Sequence, residues 1–415
     1  MNTLSPARSR LALLALALGG FGIGATEFVA MGLLPTLAAD LLPELYRTNE
    51  ADSLAQAGLL ISAYALGVVV GAPTIAASSA RFPRKQLLLV LVGVIVVATI
   101  ASAVLPTFGL VLAARFVSGL PHGAYFGIAS LVAAQIMGPG QRGRGIAFVL
   151  SGLTISNVIG VPLITALGQE AGWRVAYLAV AAIFALTFAA IAVFVPLQAG
   201  DASATMRREL AGFRRSQVWL ALLTGAIGFG GFFAVYTYIS PLVTGAAGLS
   251  IDVVPVALVV AGLGMTIGNL IGGRAADHHV MKTLFVCFAA FVVALVGVGL
   301  FGSHPVALFV GIFLVAGSAA ALSPAIQTRL MDVAGESQTL AAAANHSSLN
   351  LGNSLGAFLG GLVIAAGFGY LSVAWVGLVL ALLGVVIAVL SVLRQRSRPL
   401  GGDRRAGGTS ALASR

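Results

Sequence analysis

Residues 197–216 read LQAGDASATMRRELAGFRRS, the one long polar stretch in the interior of an otherwise apolar chain. Working outward from it in both directions, the sequence divides into apolar runs parted by short polar or Gly/Pro-bearing connections. Before it lie 11–37, 54–77, 86–105, 107–136, 145–167 and 174–196; after it lie 217–243, 253–276, 282–302, 305–330, 339–366 and 370–393. A helix rising about 1.5 Å per residue needs about 20 mostly apolar residues to cross a hydrocarbon core about 30 Å thick, and each run is of that order. Strands of a membrane barrel alternate apolar and polar over about ten residues, whereas these runs stay apolar for about twice that length. The expectation is an all-α membrane protein with twelve transmembrane helices: a six-helix bundle over 1–197, a linker over 198–216, a second six-helix bundle over 217–393 and a disordered basic tail over 394–415.

Composition agrees. Of 415 residues 59% are hydrophobic and only 9% charged, with a mean hydropathy of +1.03, against roughly 25% charged in soluble domains. The first run exceeds the apolar region of a signal peptide, about 7–15 residues, and lacks a clear small-residue cleavage site, so it counts as helix 1. Lys and Arg gather in the even-numbered connections (Arg81, Arg84 and Lys85; Arg142 and Arg144; Arg207, Arg208, Arg214 and Arg215; Arg274 and Lys282; Arg329) and at both termini, while the odd connections hold Arg47 and Arg174. The positive-inside rule then puts both termini and the linker in the cytoplasm, with the chain in the inner membrane. The net charge of +10 is a topology signal rather than a nucleic-acid footprint. The single cysteine, Cys287, excludes an intrachain disulfide. No CxxC, HExxH, phosphate loop or dinucleotide fingerprint occurs, so neither metal, cofactor nor ATP chemistry is expected, and the chain does not read as an enzyme.

The two halves repeat one another. GAPTIAASSARFPRK (71–85) ends helix 2 and GNLIGGRAADHHVMK (268–282) ends helix 8; SNVIGVP (156–162) in helix 5 parallels GNSLGAF (352–358) in helix 11, each pair about 197 residues apart. Two six-helix repeats about an axis normal to the membrane are the design of transporters that rock around a site near the midplane.

Four stretches carry a closer likeness: GATEFVAMGLLPTLAADL (24–41), ARFVSGLPHGAYFGIAS (114–130), SNVIGVPLITALGQEAGWR (156–174) and GNLIGGRAAD (268–277). In order and spacing they resemble the major facilitator superfamily, and within it the drug/proton antiporter branch that includes sugar, nucleoside and chloramphenicol exporters. The family's loop signature between helices 2 and 3, GxxxDRxGRR, is degenerate here: Ala76, Ala80 and Pro83 replace its first glycine, its aspartate and its second glycine, while Arg84 remains. The second copy keeps Gly273 and Asp277. The resemblance implies that Asp277 approaches the start of helix 5, where the helix dipole favours a carboxylate by roughly 0.3–1 kcal/mol, and forms a cytoplasmic gate with Arg142 or Arg144. The alternative is that these are solvated loop charges. GVP at Gly160–Pro162 resembles the branch's helix 5 signature without its further glycines, and Pro162 should bend that helix.

Ionisable residues inside the spans are the next signal, because a charge at the bilayer centre costs at least ~2.5–3.5 kcal/mol and so marks a pathway or a partner. Glu27 lies ten positions before the outer end of helix 1 at Leu37, about 15 Å deep; Arg115 lies nine positions into helix 4 from Pro106, about 13.5 Å deep. The depths match, and in the family that the chain resembles both helices line the central cavity. A Glu27–Arg115 pair, direct or through water, is the expectation. Desolvation raises a carboxyl pKa and a neighbouring cation lowers it, so an acid alternating between two such environments can load and release a proton. Glu27 is the candidate proton carrier and Arg115 its modulator; a static ion pair that only fixes helix packing is the alternative. Where Pro35 and Pro241 are aligned, the second half places Phe233 opposite Glu27. His122, two turns beyond Arg115 on the same face, could relay protons or simply pack.

Candidate substrate contacts are Tyr64 in helix 2, Asn157 in helix 5, Phe232 and Tyr236 in helix 7, and His346, Asn350 and Asn353 at i, i+4 and i+7 along helix 11. Aromatics with a few amides suit a small organic molecule. The same asparagines could instead join helices by hydrogen bonds, and the aromatics could face lipid. The function expected from the residues and the resemblance together is proton-coupled export of a drug, sugar or nucleoside by a monomer in the bilayer. A proton-coupled uptake symporter, and a substrate sensor or passive facilitator, stand as alternatives.

Overall fold

The computed structural model describes residues 5–79, 81–138, 140–200, 215–334 and 338–396. Most of the linker, with Arg207, Arg208 and Arg214, Ala80 of the loop signature and the tail from residue 397 lie outside them.

Among the described residues eleven helices are long and apolar enough to cross a membrane, and they hold twelve passes. Helix Val254–Phe301 runs for 48 residues, about 72 Å, more than twice the hydrocarbon thickness. It breaks direction at His279, whose φ of −149° and ψ of 84° are not helical. Two of the expected helices are thus joined by a kink rather than a loop, because a single non-helical residue interrupts the ladder of backbone bonds. Counting passes, α1 is Pro6–Gly32, α2 Glu50–Ser79 and α3 Arg84–Val104. Pass α4 comprises Phe108–Gly119 and His122–Met137, and α5 comprises Arg142–Ile155, Ser156–Gly160 and Val161–Ala171. Then come α6 (Trp173–Phe194) and α7 (Ser216–Leu223, Thr224–Gly228 and Gly230–Tyr236). Passes α8 and α9 are residues 254–278 and 280–301 on either side of His279. The last three are α10 (Pro305–Ala334), α11 (Gln338–Ala365) and α12 (Ser372–Arg396).

The interruptions follow local chemistry. Pro121 has no N–H to give and divides α4. The bend expected at Pro162 takes the form of a π-turn over Ser156–Gly160, immediately before it. Such wide turns relieve a strained ladder and occur often at functional sites.

Packing repeats as the sequence does. A Cβ on Gly67 would collide with the Phe116 carbonyl and one on Gly71 with the Leu120 carbonyl, so α2 and α4 touch backbone to backbone. At the equivalent positions Gly264 meets the Phe313 carbonyl and Gly268 the Gly317 carbonyl, joining α8 to α10 in the same way. The halves meet where α2 runs along α11 and α5 along α8. On that seam Ser62 Oγ donates to the Ser354 carbonyl at 3.3 Å, and Gly262 lies against the Asn157 backbone. Valines and leucines such as Val97, Leu163 and Val293 are exposed on the outer surface, as lipid-facing positions are in a chain with so little charge.

Candidate functional site

The site gathers at the seam. Glu27 on α1 is only 5% exposed and, among the described residues, is the one buried carboxylate. Its Oε1 accepts a hydrogen bond from Nδ2 of Asn353 on α11 at 3.1 Å, so the acid of the first half is held by an amide of the second. Its Oε2 stands 4.0 Å from Nδ1 of His122 on α4, and that nitrogen is 3.1 Å from the Tyr64 hydroxyl of α2. Four helices thus converge on one carboxylate.

Arg115 is 1% exposed and close by, yet the direct form of the expected pair with Glu27 is not made. No ion pair within 4.0 Å joins them among the described residues. Instead Nη1 donates to the backbone carbonyl and the hydroxyl of Thr26, at 2.9 and 3.2 Å. The guanidinium lies 4.5 Å from the ring centre of Tyr64 and 5.5 Å from that of Tyr177, a two-ring cation–π seat. The reason is azimuth: Thr26 precedes Glu27 by one residue, a turn of about 100° round the helix, so the side of α1 that meets Arg115 is not the side that carries the carboxylate. The Arg115 Nε and Nη2 donors have no hydrogen-bond partner, an arrangement costly in low dielectric and suited to a group that changes partners.

The other sequence candidates divide. Phe232 and Tyr236 stack at 5.0 Å and are buried; Phe28 meets the Tyr236 ring edge-on at 5.5 Å and stacks with Phe233 at 6.4 Å. The Tyr236 hydroxyl has no partner, nor has the Oδ1 of Asn350 or of Asn353. Asn350 turns its Nδ2 to the His346 carbonyl one turn back, at 3.1 Å. His346 lies flat on Phe126, with ring centres 5.7 Å apart and planes at 6°, and 6.3 Å from the His122 ring. The structure therefore brings Glu27, Tyr64, His122, His346 and Asn353 together, with the Phe28–Phe232–Tyr236 rings beside them. Asn157 stands apart: its Nδ2 faces the Met265 sulfur of α8 at 3.4 Å, at the π-turn. Thr26, Phe28, Phe126 and Tyr177 belong to the site and escaped the sequence reading. Tyr177 and Phe126 carry no signal in a chain of apolar runs; Phe28 and Thr26 adjoin Glu27, and that adjacency was the only available hint.

The gating candidates are not joined across the seam in this conformation. Asp277, Arg142 and Arg144 are exposed with no ion pair among them, and a Cβ on Gly273 would meet open space. Arg84 binds within its own half: its backbone N–H donates to the Gln198 carbonyl at 3.0 Å and its Nη1 to Gln135 Oε1 at 3.2 Å. With the signature aspartate absent, that half of the latch is tied to the end of α4 and the chain leaving α6. At the opposite end of the bundle, burial and the Glu50 carboxylate hold the Tyr46 and Tyr370 hydroxyls above the ordinary tyrosine range.

Comparison with known proteins adds the lineage. The family model described as Major Facilitator Superfamily matches residues 16–266 and again 222–414. An inner membrane transport protein of Escherichia coli strain K12, YdhP, is 36% identical over 383 residues, covering 92% of this chain and 96% of the relative. A chloramphenicol resistance protein of Streptomyces lividans is 31% identical over 384 residues, covering 91% and 95%. Among solved structures, a D-xylose–proton symporter superposes with a TM-score of 0.74 at 14% identity over 92% of this chain and 97% of that one. A bacterial homologue of the human lysosomal transporter Spinster, inward-facing and unoccupied, gives 0.71 at 16%, over 95% and 100%.

Proposed function

The chain belongs to the Major Facilitator Superfamily, a membrane transporter and not an enzyme, and from that premise we propose that it is a proton-coupled exporter. It carries a small organic compound out of the cytoplasm across the inner membrane while protons enter. The observation that supports this reading is the placement of Glu27: the single buried carboxylate among the described residues is hydrogen-bonded by the opposite half through Asn353.

The chemistry follows from that bond. An ionised carboxylate accepts a charge-assisted hydrogen bond, roughly twice as strong as a neutral one, so ionised Glu27 holds α1 to α11. Protonation removes the charge, weakens the link and lets the halves separate along the seam. Alternating access is thereby tied to the occupancy of one proton site, with Arg115, His122 and Tyr64 setting its surroundings. The unpaired Arg115 donors and the aromatic wall of Phe28, Phe232 and Tyr236 form the surface that substrate would contact. Export rather than uptake is supported by the name of the Streptomyces lividans relative, a chloramphenicol resistance protein. Asp277, with Arg142 or Arg144, is proposed to close the cytoplasmic side in another conformation of the cycle.

The test uses everted membrane vesicles and labelled chloramphenicol. With the lumen acidified, the protein is expected to accumulate the drug until an uncoupler is added. Glu27→Gln is expected to abolish accumulation and to retain exchange of labelled for unlabelled drug. Accumulation by Glu27→Gln at the full rate would overturn the proposal.

A further inference from the structure

One titratable side chain of the cluster has no role in the scheme so far. His346 sits on α11, seven residues before Asn353, so it lies about 10.5 Å from the level of Glu27 toward the Gln338 end of that helix. His122 is displaced from Arg115 by seven residues as well, toward the Met137 end of α4. Those two ends point to the same side of the molecule, the side of Arg142, Arg144 and Asp277. Exposure changes along the way: Glu27 is 5% and His122 3% exposed, whereas His346 is only half-buried. From α1 to α4 to α11 the three groups follow one another toward the linker-side end, with His122 Nδ1 4.0 Å from Glu27 Oε2 and the imidazole ring centres 6.3 Å apart. The Glu27–His122 gap exceeds direct hydrogen-bond distance, and the two imidazoles are neighbouring rings. The remaining titratable or charged groups facing this line are Tyr64 on α2, Arg115 on α4, Tyr177 on α6 and Tyr236 on α7.

We propose that His346 is a proton-relay residue that passes protons between His122 and the linker side of the molecule. The proposal rests on Glu27 being the proton carrier. In the inward direction the Glu27 carboxyl gives its proton to His122 Nδ1 and becomes a carboxylate. The imidazolium releases a proton to His346, and His346 gives it to water at its exposed edge; one proton moves and both rings end neutral. Histidine suits the task because its ring carries one nitrogen that accepts a proton and another that donates one. Packing alone gives no reason for a titratable ring here, since phenylalanine would stack on Phe126 equally well.

The experiment follows the infrared band of the protonated carboxyl after a pH jump on the purified full chain, which needs no substrate. Glu27→Gln identifies the band by removing it. His346→Phe, which keeps the stack on Phe126, is expected to leave the size of the band unchanged and slow its relaxation at least tenfold. His346→Ala is expected to slow it similarly and to regain most of the rate when imidazole is added to the buffer, a rescue that a packing role would not give. Relaxation of His346→Phe at the wild-type rate, or absence of rescue in His346→Ala, overturns the relay. If instead the wild-type protein has no titrating band that Glu27→Gln removes, Glu27 is not the carrier and the proposed function itself falls.

Discussion

Two pairs of equivalent elements behave in opposite ways. The α2–α4 and α8–α10 contacts are near copies, glycine against backbone at Gly67 and Gly71 in one half and at Gly264 and Gly268 in the other. Helices α1 and α7 are also repeats, yet α1 is one continuous helix carrying Glu27, whereas α7 is broken by a π-turn and carries Phe233 at the matching position. Duplication preserved what makes each half a bundle and let diverge what faces the seam. A bundle needs close helix contact in both copies, but a proton site of the kind proposed for Glu27 is required once, and its partner is best placed on the element that moves away.

The conserved side of that comparison predicts the largest effects. Gly71→Val and Gly268→Val place a branched side chain where only a backbone carbonyl fits, and neither backbone can retreat without moving a whole helix. Each should destabilise by about 3 kcal/mol or more, at the upper end for overpacked sites, read as a lowered midpoint of thermal unfolding in detergent. Gly273→Ala, with open space around it, should leave that midpoint unchanged or slightly raised. Unequal losses in the two halves would break the equivalence.

The divergent side predicts the next effect. Phe233→Glu restores by mutation the symmetry that α7 lacks. Its site is 4% exposed and walled by the rings of Phe28, Phe229 and Phe232. The cost should approach the ~2.5–3.5 kcal/mol of a charge inside a membrane, seen again in thermal unfolding, with no gain in gradient-driven transport. A second acid tolerated without loss would mean that the residue itself, rather than its environment, is what distinguishes the halves.

These contrasts also mark what the sequence made legible. The passes were readable because hydrocarbon thickness imposes length and apolarity on each helix separately, and the repeat because glycines at close contacts stay in register about 197 residues apart. The kink at His279 was not, since a polar stretch such as HHVMK is compatible with either a loop or a bent helix. At the site, depth was readable and azimuth was not: counting residues put Glu27 and Arg115 at one level, but which neighbour each meets depends on helix rotation and on the approach of α11. Asn353 was identified as a polar residue of the right helix, and its partner, 326 residues earlier in the chain, was set by tertiary packing alone. The proposed Asp277 gate would need a conformation in which the linker-side ends meet, and no local pattern reports which conformation a chain adopts.

Asn353→Leu should therefore have a smaller and more specific effect than either class above. It removes the donor to Glu27 while keeping a side chain of similar size, and a hydrogen bond to a charged group contributes about 1.5–3 kcal/mol. Gradient-driven transport in everted vesicles should fall about tenfold or more, with exchange less affected, because the link between halves is lost and the carrier remains. Equal loss of both activities would assign Asn353 to substrate contact instead.

The smallest effect should come from the aromatic wall. The Tyr236 hydroxyl is buried without a hydrogen-bond partner, so Tyr236→Phe removes a polar atom that this conformation leaves unsatisfied. Replacing an unpaired buried group by an apolar one is close to neutral for stability or favourable, within about 0.5 kcal/mol, so the unfolding midpoint should hold or rise slightly. If the hydroxyl instead serves substrate, the concentration dependence of the proposed drug export should shift to higher concentration while the maximal rate persists. A lowered midpoint would show that the hydroxyl finds a partner in the free protein, and would move Tyr236 from the substrate surface to the frame that the two halves share.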